Sequence, residues 1–326
     1  MQPFDLKTPK TLSEAVDQLP SSRSRTGSQI LAGGQDVLTV MKDDIAAPSA
    51  LVDISGLDLG GIKEDADGGV AIGAMATIQE IADDAVIAGR FPALREAARS
   101  VGSPQIRSQA TIGGNLNQRP RCPYYRHPSV SCYKKGGNVC LAEFGFNKYA
   151  AIFGGGPSYF SHPSDMAPAL ILVGASVDVI GPAGLRTIAL ADFYVLPEAK
   201  LDTETVLEPN EIVVRVVVPA PQAGARSTYL KFKERESYDF ALAAVAVTVV
   251  VEGGKIASAR VVLGGVAPLP WPSPAAAAAL VGKPMTADTW TAAGEAAVAD
   301  ADPLEHNGYK VHLVRGVLFR ALESLA

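Results

Sequence analysis

The sequence lacks both standard glycine-rich phosphate motifs, GxGxxG and GxxxxGKS/T. Their absence excludes a Rossmann unit of the usual kind and a P-loop. A basic block is also missing and the net charge is −5, which argues against a nucleic-acid groove. No apolar run approaches the length of about eighteen residues that a membrane-spanning helix needs, and the first residues show no signal-peptide pattern.

Histidine and cysteine are scarce. The four histidines have no carboxylate or nucleophile partner at a recognisable spacing, and no pair of acids stands out, so the sequence indicates no catalytic site for substrate chemistry. The three cysteines, Cys122, Cys132 and Cys140, form an odd set within one short stretch, which is a poor disulfide framework. Their clustering favours a metal site instead.

The bulk composition is that of a globular chain. Of the 326 residues, 48% are hydrophobic and 19% are charged, and this length allows two or three domains with cores of their own. The small, proline-rich stretch 219–226 predicts a linker between a first domain at 1–220 and a C-terminal α+β domain at 227–326. Within the first domain, the pattern predicts α/β units at about 1–55 and 56–220.

Two glycine pairs, Gly33-Gly34 and Gly113-Gly114, are the most informative feature. Adjacent glycines let the backbone turn sharply and approach a ligand without a Cβ in the way. Consecutive N–H groups in such a turn form a concave anion site, and the predicted helix after the first pair adds to the attraction. One pair alone is most often an ordinary tight turn. Two pairs together suggest one pyrophosphate held from two sides.

Hydrophobic periodicity and capping signals predict the remaining elements. Helices are predicted at residues 11–19, 37–42, 77–83, 92–100, 166–173, 273–280, 287–299 and 309–325. Strands are predicted at residues 28–32, 70–73, 175–180, 185–188, 212–218, 229–235, 241–251 and 257–263. Residues 118–161 have no clean period, and a loop of this length inside a compact domain is usually functional.

Several segments resemble the FAD-binding subunit of the molybdenum hydroxylases, the family of xanthine dehydrogenase, aldehyde oxidoreductase and the CO dehydrogenase flavoprotein. They lie at residues 30–41, 101–117, 162–175, 191–194 and 211–219, in the family's order. The resemblance implies an α+β fold. It comprises a FAD-binding domain of the vanillyl-alcohol-oxidase (PCMH) type with two α/β subdomains, and a C-terminal α+β domain like that of the CO dehydrogenase flavoprotein.

The resemblance also implies cofactor-binding residues. Around the glycine pairs they are Leu31, Ala32, Gly33, Gly34, Gln35, Asp36 and Val37, then Ala110, Thr111, Gly113, Gly114 and Asn115. Asp165 matches an acid that contacts the flavin's sugar-alcohol chain or ring, and its alternative role is an N-cap of the following helix. Tyr229 and Lys231 match an aromatic residue and a cation near the flavin ring, although a surface strand with alternating lysines is an equal alternative for Lys231.

The stretch 118–161 resembles the insert of a family subset that carries a [4Fe–4S] cluster. Cys122, Cys132 and Cys140 are then its ligands, because thiolates suit iron–sulfur clusters. Ser158 stands where that subset has a fourth cysteine, so oxygen, a nearby histidine (His127 or His162) or an incomplete cluster could replace the fourth thiolate. Zinc held by three cysteines and a histidine, or three inert cysteines, are the alternatives.

Taken over the whole chain, the resemblance implies an FAD-carrying subunit of a heterotrimeric oxidoreductase. The implied partners are a large molybdopterin subunit and a small subunit with [2Fe–2S] clusters, with electrons passing through FAD to an external acceptor. The isolated chain is not expected to oxidise the substrate, and no catalytic residue is assigned. The alternative is a stand-alone FAD-dependent oxidase or reductase. A cytoplasmic location is expected, or a periplasmic one if a partner carries a twin-arginine signal.

Overall fold

The computed structural model describes all 326 residues. Its helices are α1 (Leu12–Asp17), α2 (Val37–Lys42), α3 (Ile78–Asp83), α4 (Ala85–Arg90), α5 (Pro92–Ser100), α6 (Pro104–Arg107), α7 (Ile112–Leu116), α8 (Met166–Leu172), α9 (Pro274–Leu280), α10 (Ala287–Ala297) and α11 (Tyr309–Glu323). Its strands are β1 (Asp5–Lys7), β2 (Gln29–Leu31), β3 (Ala50–Asp53), β4 (Ile62–Glu64), β5 (Val70–Gly73), β6 (Ser176–Gly181), β7 (Gly184–Ala189), β8 (Ile212–Val218), β9 (Ala225–Phe232), β10 (Ala243–Glu252), β11 (Lys255–Gly264) and β12 (Trp271–Pro272). Judged by length and hydropathy, none of the helices qualifies as a membrane span.

The strands form three sheets. A small parallel sheet has the order β1-β3-β2, and a five-stranded antiparallel sheet has the order β4-β5-β8-β6-β7. The third sheet, β12-β11-β10-β9, is also antiparallel. The combination of one parallel and two antiparallel sheets with packed helices is the α+β organisation that the sequence predicts.

Local signals predict most element positions correctly. Helices α2 and α5 and strands β5 and β8 have the predicted bounds. The predicted cap of α1 is present, since the Thr11 hydroxyl accepts from the Glu14 N–H at 3.2 Å, although the helix ends at Asp17 rather than at residue 19. A reciprocal capping box, Thr77 with Glu80, begins α3.

The elements that the sequence does not predict are short or depend on distant partners. Strands β1, β3 and β4 have at most four residues, too few to display a period. The second glycine pair lies within α7 rather than in an open turn, because Thr111 caps a helix that runs through both glycines. The division at 219–226 stays a prediction. Strand β8 ends at Val218, and β9 begins at Ala225, earlier than predicted.

Two large cores fill the molecule. The first lies between the five-stranded sheet and helices α3, α5 and α8, and it includes Tyr229 on β9. The second lies between the opposite face of the C-terminal sheet and helices α9, α10 and α11. A smaller core joins α1 to the parallel sheet. The first core therefore continues from one sheet system to the other behind the glycine pairs.

Residues 118–161, here called the cysteine insert, have no regular structure except a 3-10 turn at Tyr133–Lys135, as the sequence predicts. The insert is nevertheless anchored at several points. Ile152 and Phe153 belong to the C-terminal core. Buried Lys310 on α11 donates to the carbonyl oxygens of Gly265 at 2.8 Å and Tyr149 at 3.2 Å. The insert is thus a packed part of the fold.

Candidate functional site

The first glycine pair packs on the backbone that leads into the second. A Cβ at Gly33 would lie 1.8 Å from the carbonyl oxygen of Gln109, so only glycine fits there. Gly34 has a φ of 72°, in the left-handed region that favours glycine. The two pairs, distant in sequence, are therefore brought together by a contact that tolerates no side chain.

The first pair offers free backbone donors. The N–H groups of Gly33, Gly34 and Gln35 donate no hydrogen bond within the chain. Unpaired backbone N–H groups need a partner when they are removed from water. Consecutive N–H groups in a turn are suited to an anion such as a phosphate. This segment therefore meets the chemical requirement for binding a pyrophosphate.

The second pair uses its donors inside the protein. The Thr111 hydroxyl accepts from the Gly114 N–H at 3.2 Å. The N–H groups of Ile112 and Gly113 donate to carbonyl oxygens of residues 74–76, both at 2.9 Å. A Cβ at Gly114 would meet only the Thr111 hydroxyl, at 3.1 Å. The second pair thus contributes a close, side-chain-free wall, and the free donors come from the first pair.

Both pairs line one cleft of about 860 Å³, a volume in the range of cofactor pockets. The predicted residues around the pairs all line it except Leu31. Asp165 lines it as well, whereas Tyr229 and Lys231 do not. The structure therefore brings most of the predicted cofactor-binding residues to one cavity.

Tyr229 and Lys231 lie behind Asp165 and hold its carboxylate. The Tyr229 hydroxyl donates to Asp165 Oδ1 and Lys231 Nζ to Oδ2, both at 2.7 Å, and Lys231 also donates to the Ser100 carbonyl at 3.1 Å. All three side chains are buried. Burial, together with Asp165, raises the pKa of Tyr229 well above its ordinary value, so the phenol remains a donor. In this structure the Lys231 charge is neutralised by Asp165.

The start of α8 is tied to the second glycine pair. The Ser164 hydroxyl donates to Asn115 Oδ1 at 2.5 Å and accepts from the Ala167 N–H at 3.0 Å. Ser164, rather than Asp165, therefore supplies the side-chain cap of α8, since Asp165 makes no capping bond. This arrangement leaves Asp165 to the network with Tyr229 and Lys231.

Basic side chains line the cleft, and sequence reasoning missed them. They come from the loop after α1, from the cysteine insert and from the segment after β9, and they are Arg23, Arg25, Arg119, Arg121, Lys134, Lys135 and Arg235. Glu204 pairs with Arg119 at 2.8 Å and with Lys134 at 3.0 Å. Burial lowers the pKa of Lys134, and Glu204 opposes that shift. The insert shows no periodicity that could have indicated which of its cations face the cleft.

Asp36 follows the free donors, and its carboxylate faces the insert. It accepts from the backbone N–H of Arg119 and from the Arg126 guanidinium, both at 2.7 Å, and pairs with Arg121 at 3.0 Å. The side chain predicted to contact the cofactor is thus occupied by the insert. The backbone of Asp36, next to Gln35, remains available to the cleft.

The three cysteines are free thiols within the insert. Cys132 and Cys140 are buried, and Cys122 is half-buried. Burial raises the pKa of the Cys122 thiol, and the nearby Cys140 and Cys132 thiols raise it further. No three histidine, cysteine, aspartate or glutamate side chains are grouped closely enough to hold a metal ion. That geometry does not fit the zinc alternative, which needs four ligands around one ion.

Ser158 and His162, two candidates for a fourth ligand, have different surroundings. Ser158 is buried, and the N–H of the next residue, Tyr159, donates to Cys140 Sγ at 3.5 Å. His162 Nδ1 accepts weakly from the Ser164 N–H at 3.4 Å. Burial lowers the pKa of His162 to about 3, so its imidazole is neutral. Ser158 is therefore next to a residue in direct contact with a cysteine sulfur.

Comparison with known proteins identifies the family of this chain. Residues 2–221 match the family described as the FAD binding domain in molybdopterin dehydrogenase, and residues 227–325 match the CO dehydrogenase flavoprotein C-terminal domain. The chain is 37% identical to the aldehyde oxidoreductase FAD-binding subunit PaoB of Escherichia coli, over 99% of this chain and 98% of that protein. It is 30% identical to the carbon monoxide dehydrogenase medium chain of Hydrogenophaga pseudoflava, over 98% of this chain and 96% of that protein.

Solved structures give the same result. Carbon monoxide dehydrogenase from Hydrogenophaga pseudoflava superposes with a TM-score of 0.77 at 30% identity, over 99% of this chain and 96% of that one. The enzyme from Oligotropha carboxidovorans gives 0.77 at 28% identity, over 99% and 97%. The fold and the cleft thus define a flavoprotein of the molybdenum hydroxylases. This chain belongs to the family of their FAD-binding subunits, which confirms the resemblance.

Replacing Gly33 with alanine tests the contact between the two glycine pairs. The new Cβ would overlap the Gln109 carbonyl, so we expect a loss of about 3 kcal/mol in the free energy of unfolding, the upper end for overpacking. Gly56→Ala is the matched control, because a Cβ there meets nothing within 4 Å. Urea unfolding of both variants measures the difference. Equal stabilities would contradict the contact.

Replacing Gly34 with valine tests the free donors. The substitution strains the left-handed backbone and disturbs the adjacent N–H groups, so we expect FAD retention to fall by about tenfold or more, equivalent to 1.4 kcal/mol of binding. Gly61→Val carries the same backbone strain, with a φ of 79° and open surroundings, and should retain FAD. Flavin absorbance per protein after gel filtration measures both. Full retention in the Gly34 variant would rule out this turn as the phosphate site.

Proposed function

We propose that this chain is the FAD-carrying electron-transfer subunit of a heterotrimeric molybdenum hydroxylase. The observation that carries the proposal is the row of free N–H groups at Gly33, Gly34 and Gln35. These groups face a Cβ-free wall in a cleft of cofactor size, in a chain that belongs to the FAD-subunit family. When bound there, FAD supplies the redox chemistry, and the protein supplies binding and electrostatics.

The partners follow from the relatives. Those described above are an aldehyde oxidoreductase FAD-binding subunit and carbon monoxide dehydrogenase medium chains. By extension, a large molybdopterin subunit oxidises the substrate, and a small [2Fe–2S] subunit passes the electrons to this chain. The electrons then leave for an external acceptor. This chain therefore connects the partner clusters to that acceptor.

The side chains at the cleft support electron transfer over substrate chemistry. Asp165, the acid predicted to face the flavin, is fully engaged by Tyr229 and Lys231, so it is not a free general base. The network instead fixes the orientation of the carboxylate at the cleft wall. A stand-alone oxidase would need an unengaged acid or base beside its substrate. The residues around Asp165 thus serve to bind and orient the cofactor.

The pyrophosphate-binding roles divide between backbone and side chains. The free N–H groups of the first pair would bind phosphate oxygens, and the second pair would allow close approach. Arg119, Arg121 and Lys134 add positive charge to the same cleft while bonded to Asp36 and Glu204. Positively charged side chains in a cleft raise the local concentration of an anionic ligand. The charge thereby assists a backbone site that has no lysine or arginine of its own.

We further propose that the insert binds an iron–sulfur cluster through Cys122, Cys132 and Cys140. A four-iron cluster bonds each thiolate to a different iron, so its ligands need not surround one ion. The thiols are close enough to influence one another electrostatically, and Lys135 lies near both Cys132 and Cys122. The Tyr159 N–H on Cys140 Sγ is a donor that would stabilise a ligated sulfur.

Local charge balance also supports an anionic group in the insert. Arg119, Arg121, Arg126 and Lys134 share two carboxylates, Asp36 and Glu204, and Lys135 donates to the carbonyl oxygens of Tyr124 and His127 instead. Half-buried cations in excess of nearby carboxylates need further anionic partners. Thiolates on one side and a pyrophosphate on the other would supply them. A cluster together with FAD would offset more of this excess positive charge than FAD alone.

Assays of the isolated chain test the proposed electron-transfer role. The isolated chain should bind FAD and pass electrons from an artificial donor to a dye. It should not oxidise aldehydes or purines, because Asp165, the acid predicted to face the flavin, is engaged by Tyr229 and Lys231. Steady-state assays with both substrate classes measure this. Turnover of either class by the chain alone would refute the subunit proposal and favour a stand-alone enzyme.

The variant Ser158→Cys tests the cluster. A fourth thiolate is a softer and more covalent ligand than a serine oxygen, so iron per flavin and resistance to air should both rise. Ser129→Cys, an exposed serine of the same insert, is the control and should change neither. Metal analysis and low-temperature paramagnetic resonance on the separated subunit are the measurements. Iron below about one per flavin in anaerobically prepared wild type, with zinc absent too, would mean that the insert is only a structural or docking loop.

A further inference from the structure

We propose that Asp36 couples FAD binding to the conformation of the cysteine insert, so that occupancy of either cofactor site stabilises the other. The proposal rests on the proposed function, in that the free turn binds FAD and the insert carries the cluster. Asp36 is a positioning residue in this scheme. Its carboxylate bonds to the insert, and its backbone continues the segment that binds the phosphate.

Asp36 occupies the N-cap position of α2 without capping the helix. Aspartate is among the best N-cap residues, since its carboxylate usually accepts from the N–H groups of the first turn. Here the side chain makes no such bond. It gives up the usual bonds of its own helix in favour of bonds to residues 119–126. The orientation of the carboxylate is therefore set by the insert.

The bonds to the insert are short and mostly shielded. The Arg119 N–H and the Arg126 guanidinium each donate at 2.7 Å, and Arg121 pairs at 3.0 Å. The Asp36 side chain is 17% exposed and that of Arg126 is 13% exposed. Charge-assisted bonds of this length are stronger than neutral ones, and shielding from water increases their strength. Three donors from one loop therefore hold the Asp36 carboxylate in place.

The same arginine closes the loop around Cys122. Arg126 Nε donates to the Pro120 carbonyl at 2.7 Å, and its guanidinium donates to the Arg119 carbonyl at 3.1 Å. Its backbone N–H donates to the Cys122 carbonyl at 2.9 Å. Arg126 therefore fixes the backbone on both sides of Cys122 while it holds Asp36. A shift of Cys122 changes the bonds at Asp36, and a shift of Asp36 changes the loop.

A second contact joins the same elements. Val40 on α2, with Ile45 and Ala46 just beyond it, packs against Tyr125 and Cys132 in a small buried cluster. The helix that follows the free glycine pair therefore also supports a second cysteine. Because packed interiors shift as units rather than deform gradually, the turn, α2 and the loop around Cys122 are expected to move together.

Thermodynamic linkage gives the consequence. FAD fixes the segment Gly33–Asp36 by occupying its free N–H groups, which should favour the insert conformation that bonds to Asp36. By reciprocity, an ordered insert should favour FAD by the same factor. Coupling between sites typically changes affinities by about fivefold or more. Removal of the Asp36 carboxylate should abolish the coupling while leaving the backbone donors of the turn in place.

Thiol accessibility measures the coupling directly. The full chain, freed of iron with a chelator, is reacted with an alkylating reagent with and without FAD, and labelling of each cysteine is followed by mass spectrometry. In wild type, FAD should slow labelling of Cys122 and Cys132 by about fivefold or more. In Asp36→Asn, assayed at FAD concentrations that saturate the variant, labelling should be fast with or without FAD. Asp44→Asn, an exposed acid paired with the N-terminus, is the control and should behave as wild type.

A milder variant keeps the coupling testable if Asp36→Asn does not fold. Arg126→Lys keeps a positive charge but cannot bond Asp36 and two carbonyl groups at once, so its FAD effect should fall between those of wild type and Asp36→Asn. FAD protection that is equal in wild type and both variants would overturn the coupling, as would FAD binding to wild type without any protection. Failure of wild type to bind FAD would be seen in the same samples and would overturn the proposed function itself.

Discussion

The contact between Gly33 and the Gln109 carbonyl is the constraint on which the rest of the site depends. It leaves no room for a Cβ, so the two glycine pairs lie directly against each other. That contact aligns the free N–H groups of the first pair with the side-chain-free wall at Gly114. It also sets the start of α2, and thereby Asp36, against the cysteine insert. The cofactor cleft and the cysteine insert are in this way adjacent.

The charges around the cleft follow a consistent pattern. Three of the carboxylates that line it are engaged: Asp36 and Glu204 by basic residues of the insert, and Asp165 by Tyr229 and Lys231. The cleft also presents the basic side chains described above and the free N–H groups of the first glycine pair. Donors and cations of this kind suit an anionic cofactor. The insert thus serves the FAD site as a source of positive charge as well as carrying the cysteines.

Sequence reasoning succeeded where the signal is local. The bounds of α2 and α5 and the cap of α1 depend on residues a few positions apart, and the family resemblance identified the fold. Sequence reasoning was less informative where function depends on partners that are distant in the sequence. Nothing near Asp165 indicates that Tyr229 and Lys231, on a strand of another sheet, hold its carboxylate. The orientation of the insert cations is equally hidden, because residues 118–161 have no period. Thr111 is a recognisable cap, but the glycines after it favour a turn, and so α7 was missed.

Amide hydrogen exchange tests the central claim most directly, because the claim assigns different roles to the N–H groups of the two glycine pairs. Exchange would be measured on the chain with and without bound FAD. The account predicts marked slowing at Gly33, Gly34 and Gln35, whose N–H groups have no partner in the chain, and little change at Gly113 and Gly114, which are already bonded. Unchanged exchange at the first pair in the presence of bound FAD would contradict the account.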